Sequence, residues 1–134
     1  NAVDIFATIA EIAGVDLSQV ASGITLDSKS FVSNLANPSA ASSRAYNFSE
    51  VFTPLGAQYG DIPPASGTLD SSKAIRDSRY KLIWNVLDNT TKFYDLFVDP
   101  YENNDLIPGG LVPGSVEDRT YRALKAQIVT LLNT

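Results

Sequence analysis

The chain of 134 residues contains no cysteine and no histidine. Without cysteine there can be no disulfides and no thiolate metal sites. Without histidine, the commonest general base near neutral pH and the commonest zinc ligand are both missing. A Ser–His–Asp or Cys–His arrangement cannot be assembled from these residues, which leaves carboxylates, lysine, tyrosine and hydroxyls as the available chemistry. Basic residues are few, ten Lys and Arg against fifteen Asp and Glu, for a net charge of -5. They are scattered rather than gathered into a stripe, which argues against nucleic acid as a partner. No apolar run approaches the length of a membrane span. The opening Asn1-Ala2, with no leading Met and no secretory pattern behind it, reads as a scar ahead of a sequence that starts internally.

What remains is an ordinary globular composition, 44% hydrophobic and 19% charged, long enough for one domain with a modest core. Asp4 to Gly14 reads as a helix with Asp4 as N-cap and Gly14 as its stop. Ile5, Ile9 and Ile12 lie on one face with Phe6, Ala10 and Ala13 beside them, a wide apolar stripe that needs a cover. Val15 to Leu26 reads as a connecting loop. Asp27 or Ser28 is expected to cap a short helix through Leu35, with Phe31, Val32 and Leu35 inward. Ala45 to Phe52 alternates as a first strand, with Tyr46, Phe48 and Val51 as its apolar residues. Thr53 to Ser72 is rich in Pro, Gly, Ser and Asp and reads as one long loop. Strands follow at Lys73–Asp77, Arg79–Val86 and Lys92–Phe97, the last two joined by a turn at Asp88-Asn89-Thr90. Ser115 opens a final helix in which Tyr121, Leu124, Ile128 and Leu131 form a stripe. The expected fold is α+β: a small antiparallel sheet of about four strands, the C-terminal helix packed on one face, and helices at the N-terminus.

The stretch Ala74–Ile107 carries a resemblance. Arg76 through Ile83 matches an "aiR.gryKLi" strand, and Tyr94-Asp95-Leu96 with Asp99-Pro100-Tyr101-Glu102 matches "lYDL..DP.E..nL". Together they resemble the C-terminal β-hairpin of the sulfatases, hydrolases of the alkaline-phosphatase superfamily. Asp4–Gly14 resembles the family's "DifpTilelaGv" helix, with Ala7 in place of the usual Pro. Gly23–Leu35 resembles "dG.Sl..ll", and Ser49-Glu50 the end of a strand finishing in "SE". The resemblance implies that residues 1–43 are a helical tail of a catalytic domain with its crossover, and that 44–134 are the family's C-terminal α+β subdomain. It implies a non-catalytic role, scaffolding a catalytic domain of the same polypeptide and lining its substrate cleft. The family's formylglycine arises from a Cys/Ser-x-Pro-x-Arg motif, which is absent here. That residue and the family's calcium ion are therefore expected in a missing N-terminal domain, with no catalytic residue, metal or cofactor in this piece. A periplasmic or secreted bacterial location is implied by the resemblance alone. A free-standing carbohydrate- or protein-binding module, or part of a related phosphodiesterase or phosphatase, is the alternative. A helix taken from a larger domain is expected to leave its Ile/Phe face exposed or to bury it in a homodimer.

Several clusters invite a functional reading. Within the long loop and the strand before it, Glu50, Phe52, Gln58, Tyr59 and Asp61 are the candidates for substrate contact. Asp95, Asp99, Glu102 and Asp105 have the oxygen chemistry of a cation site, yet lack EF-hand spacing, and turn or cap roles account for them better. Arg76, Arg79 and Lys81 have the charge to grip an anion, but Asp77 and Asp95 lie close enough for cross-strand pairs. Tyr80, Leu82 and Trp84 are core if they face the last helix and a stacking platform if they do not; core is preferred. Asn47-Phe48-Ser49 and Asn89-Thr90-Thr91 match the N-glycosylation tripeptide, a common pattern of little weight.

Overall fold

The computed structural model describes residues 1–52 and 71–132. The chain divides into two compact units, Asn1–Ala45 and Tyr46–Thr134.

In the first unit, α1 spans Asp4–Ile12 and ends on Gly14, whose positive φ of 73° is the conformation glycine adopts most readily. Gly14 N donates to Glu11 O and Val15 N to Ala10 O, the two bonds of a Schellman stop. Asp4 is not the N-cap. Val3 occupies that position, and Asp4 is the first helical residue, with its carboxylate turned inward. A short α2, Leu17–Val20, interrupts the expected loop, started by Asp16 whose Oδ1 accepts from Ser18 N. Helix α3, Val32–Ala36, begins later than expected, and Leu35 is 60% exposed rather than inward.

Unit one is assembled by polar contacts. The Ser28 hydroxyl bridges Ala7 N and Val3 O, Thr8 Oγ1 accepts from Phe31 N, and Asp4 Oδ1 accepts from Lys29 N. Asp4, Ala7, Thr8 and Ala10 are the buried residues of α1, while Ile5, Phe6, Ile9 and Ile12 are 50–66% exposed. The helix is thus turned with its small and polar side inward and its bulky apolar stripe outward.

The second unit is a four-stranded antiparallel meander in the order β1-β2-β3-β4: Asn47–Phe52, Ser71–Arg76, Tyr80–Asn85 and Thr90–Asp95. The final helix, α4, runs Val116–Leu132. Its N-terminus is held reciprocally: Asp118 N donates to Ser115 Oγ, and Asp118 Oδ2 accepts from Gly114 N. Phe48, Ile75, Leu82 and Phe93 are opposite one another in successive pairs, one apolar rung across all four strands. Ile75, Tyr80, Leu82 and Phe93 with Leu124 and Ile128 of α4 form the core. Tyr80 stacks on Phe93 at 5.3 Å and Tyr121 meets that ring edge-on at 5.7 Å. The fold is the α+β arrangement expected from the sequence. Three details differ: Val51 is exposed on the opposite face from Phe48, β2 begins at Ser71 inside the stretch expected to be loop, and β4 stops at Asp95, which leaves Phe97 outside the strand.

Candidate functional site

The hairpin β3–β4 positions most of the charged residues singled out above. Asp77 Oδ1 accepts from Arg79 N and Tyr80 N, which fixes the tight turn into β3. Arg79 then lies across the strands from Asp95 and holds its carboxylate through Nε at 3.0 and 3.1 Å and Nη2 at 2.6 Å. The hydrogen bonds from Arg79 push the Asp95 carboxyl below the usual carboxylate range, and Asp95 raises Arg79 in return. Lys81 Nζ contacts both oxygens of Glu102 at 2.7 and 2.9 Å. Arg76 Nε donates to Asp77 O. Arg79 and Lys81 are thus drawn into local ion pairs, while Arg76 bonds the carbonyl oxygen of the residue that follows it.

The acidic cluster is distributed among structural duties. Asp99 Oδ2 accepts from Asn104 N at 2.7 Å, and Asp105 Oδ1 accepts from both Phe93 N and Ile107 N at 3.0 Å. With Leu106 N donating to Phe93 O, Asp105 and Leu106 occupy both backbone groups of Phe93 on the outer edge of β4. Among the described residues no group of three or more His, Cys, Asp and Glu is placed to hold a metal ion. Among the described residues the hairpin carboxylates of Asp95, Asp99, Glu102 and Asp105 are each engaged by an N–H group or a cation.

Glu102 has a φ of 59°, a left-handed conformation unusual for a non-glycine residue. Replacing it with Gln should cost about 1 kcal/mol through the lost pair with Lys81. Glu102→Gly should remain within about 0.5 kcal/mol of the parent, because relief of the left-handed strain, about 1–2 kcal/mol, offsets the same loss. Urea unfolding of both variants checks this, and a glycine variant weaker than the glutamine variant would contradict it.

Glu50 pairs with Lys73, its cross-strand neighbour, at 2.8 Å, and the Lys73 side chain is only 4% exposed. Its role as a substrate contact therefore competes with a structural one. The Phe52 side chain and all of Gln58, Tyr59 and Asp61 lie outside the described residues, as does the long loop up to Asp70. Tyr80 and Leu82 are in the core, and burial with a bond to Glu117 pushes the Tyr80 hydroxyl above its ordinary range. Trp84 is partly buried; its Nε1 donates to Asn89 Oδ1 at 3.0 Å, and Lys125 Nζ lies 5.2 Å from its ring. On the sheet face away from α4, Ser49, Val51, Ser72, Ala74, Ile83 and Lys92 help line a groove of about 600 Å³. Sequence reasoning did not single out Lys73 or the outward rings of Phe97 and Tyr101; strand alternation was the signal available for Lys73, and the end of β4 at Asp95 became visible only in the fold.

No family model and no curated protein matches the chain. Solved structures do, and those described are sulfatases. BT4656, in complex with its substrate D-glucosamine-2-N,6-O-disulfate, superposes with a TM-score of 0.64 at 18% identity over 97% of this chain. A putative sulfatase from Bacteroides thetaiotaomicron VPI-5482 gives 0.57 at 20% identity, and BT1596, a 2-O GAG sulfatase, gives 0.56 at 20%, each again over 97% of this chain. The chain spans only 23% of the length of each. At these identities the likeness is one of fold: the chain shares the fold of a stretch about a quarter the length of these proteins.

Proposed function

We propose that the chain is the C-terminal, non-catalytic subdomain of a sulfatase-like sulfuric ester hydrolase, and that it scaffolds the catalytic domain of the same polypeptide. The observation that carries this reading is the orientation of α1. A helix that turns Asp4 and Thr8 inward and leaves Ile5, Phe6, Ile9 and Ile12 at 50–66% exposure is folded to be covered by something else. Each of those side chains is worth about 1.5–3 kcal/mol once buried. The sulfatases that share the fold extend well beyond the matched region, which supplies a natural cover. On this reading the ester chemistry, with its formylglycine and calcium, belongs to that other part. Glu50, Phe52, Gln58, Tyr59 and Asp61 stay the candidates for lining its substrate cleft.

An antibody raised to this chain should detect, in the producing cells, a polypeptide several-fold larger. A species of this size alone would overturn the reading and favour a free-standing module. The purified chain should show no turnover of an aryl sulfate. It should also associate in a concentration-dependent way through α1, and Phe6→Ser with Ile9→Ser should abolish that association without loss of folding.

A further inference from the structure

The turn after β4 presents apolar side chains that the core of its own unit does not use. Phe97, Val98 and Tyr101 are 84%, 74% and 85% exposed, among the most exposed large apolar side chains of the described residues. The backbone that displays them is firmly held. Val98 N and Asp99 N both donate to Asp95 O, Phe97 N to Asp95 Oδ1, and Glu102 N to Asp99 O. The carboxylates of Asp95, Asp99 and Glu102 are turned to Arg79, Asn104 N and Lys81. The acidic residues thus brace the turn and the apolar ones point away from it. In the motif "lYDL..DP.E..nL" these three apolar residues fall on unspecified positions, so the turn can form without them.

We infer that this turn is a saccharide-stacking surface, which takes a pyranose unit of a glycan against the ring of Phe97 or Tyr101. A flat exposed ring suits the C–H face of a sugar, and planar polar groups beside it suit the hydroxyls. Here such a group is the half-exposed Arg79, whose guanidinium lies over the Phe97 ring, 5.8 Å from its centre; Asn103 and Asn104 of the same turn are exposed. Three side chains on one turn fall well short of the roughly 1,200 Å² that a stable protein interface buries. The surrounding carboxylates disfavour nucleic acid. The inference deepens the proposed function by giving the subdomain a hold on a sugar chain, and rests on that reading for the choice of a glycan.

The test is an NMR titration of the 134-residue chain with chitotetraose, a neutral glucosamine-based tetrasaccharide, and with a sulfated form of it. Both sugars should receive saturation transfer from the protein and shift the amides of residues 97–104. Phe97→Ala with Tyr101→Ala should weaken binding about tenfold or more. Leu87→Ala, at the opposite end of the hairpin, should leave it unchanged. Absence of transfer to either sugar, or shifts elsewhere on the surface, would overturn the inference. So would resonances of 97–101 that move with protein concentration, because a second copy would then be the occupant. Sulfate-dependent binding that survives the double substitution would overturn it too, by placing the contact on cations elsewhere. None of these results bears on the size of the native polypeptide, so the scaffold reading stands or falls separately.

Discussion

Replacing Phe93 with alanine is expected to destabilise the sheet-and-helix unit by about 4 kcal/mol. The residue is fully buried and takes part in every layer of that unit. Its ring stacks on Tyr80, meets Tyr121 of α4 edge-on, and pairs across the strands with Leu82 in the rung that continues through Ile75 to Phe48. Its removal leaves a cavity that neighbouring strands cannot close without breaking register, so the cavity term adds to the lost transfer energy. For a unit of this size the melting temperature should fall by about 15–30 °C. Thermal unfolding followed by circular dichroism measures it directly. Phe93→Leu, which keeps most of the volume, should cost no more than about 1.5 kcal/mol. A shift of a few degrees for the alanine variant would mean that the core is not organised around this ring.

The second large effect belongs to the other unit. Arg44 donates from Nε to Asp4 Oδ2 at 2.7 Å and from Nη2 to Asp4 Oδ1 at 2.6 Å. It also reaches Asp27, through Nη1 to the carboxylate at 3.3 Å and through Nη2 to the carbonyl oxygen. The Asp4 side chain is 6% exposed and that of Arg44 12%, so the pair is mostly out of water. Arg44→Met would leave a buried carboxylate without its cation, a loss of about 3 kcal/mol. Unit one has little apolar packing to compensate, since the buried apolar residues of α1 are only Ala7 and Ala10. Hydrogen exchange should show protection of the α1 amides collapsing while the β3 and β4 amides keep theirs. Equal loss in both units, or in neither, would contradict this assignment.

The same pair sets a pH dependence. The Arg44 hydrogen bonds lower the Asp4 carboxyl from its ordinary 3.8 to about 2, with Lys29 N assisting and burial opposing. Because the folded value lies below the unfolded one, the unfolded chain takes up the proton first as pH falls. The clasp therefore contributes fully above about pH 4 and is lost as pH drops through about 2. Protection of α1 should follow that window in the parent chain and lose it in Arg44→Met.

Much of this architecture was legible in the residues. The alternation of Tyr80, Leu82 and Trp84, the turn at Asp88-Asn89-Thr90 and the stripe Tyr121-Leu124-Ile128 are each local signals within one element, and each was realised; Leu131, expected to continue that stripe, is 38% exposed. Gly14 ended α1 as expected because a left-handed residue there is a local requirement. The clusters that looked functional were less readable. Arg79, Lys81, Asp95 and Glu102 resolve into two ion pairs only once the strand register is known.

By itself, then, the sequence determined the order of the larger elements, the α+β class and the lack of any histidine or cysteine chemistry. Spacing along a chain encodes helix and strand directly, and composition excludes what it does not contain. Only the tertiary structure decided which side of α1 is inside, which charges pair and where β4 ends. It turned α1 with Asp4 and Thr8 inward and Ile5, Phe6, Ile9 and Ile12 outward, buried Lys73 against Glu50, and ended β4 at Asp95, leaving Phe97 outside the strand. Those outcomes depend on contacts between residues far apart in sequence: Arg44 with Asp4, Glu50 with Lys73, and Asp105 and Leu106 with Phe93 on the edge of β4. A periodic stripe states that a face wants a partner, and only the folded chain shows whether that partner is present.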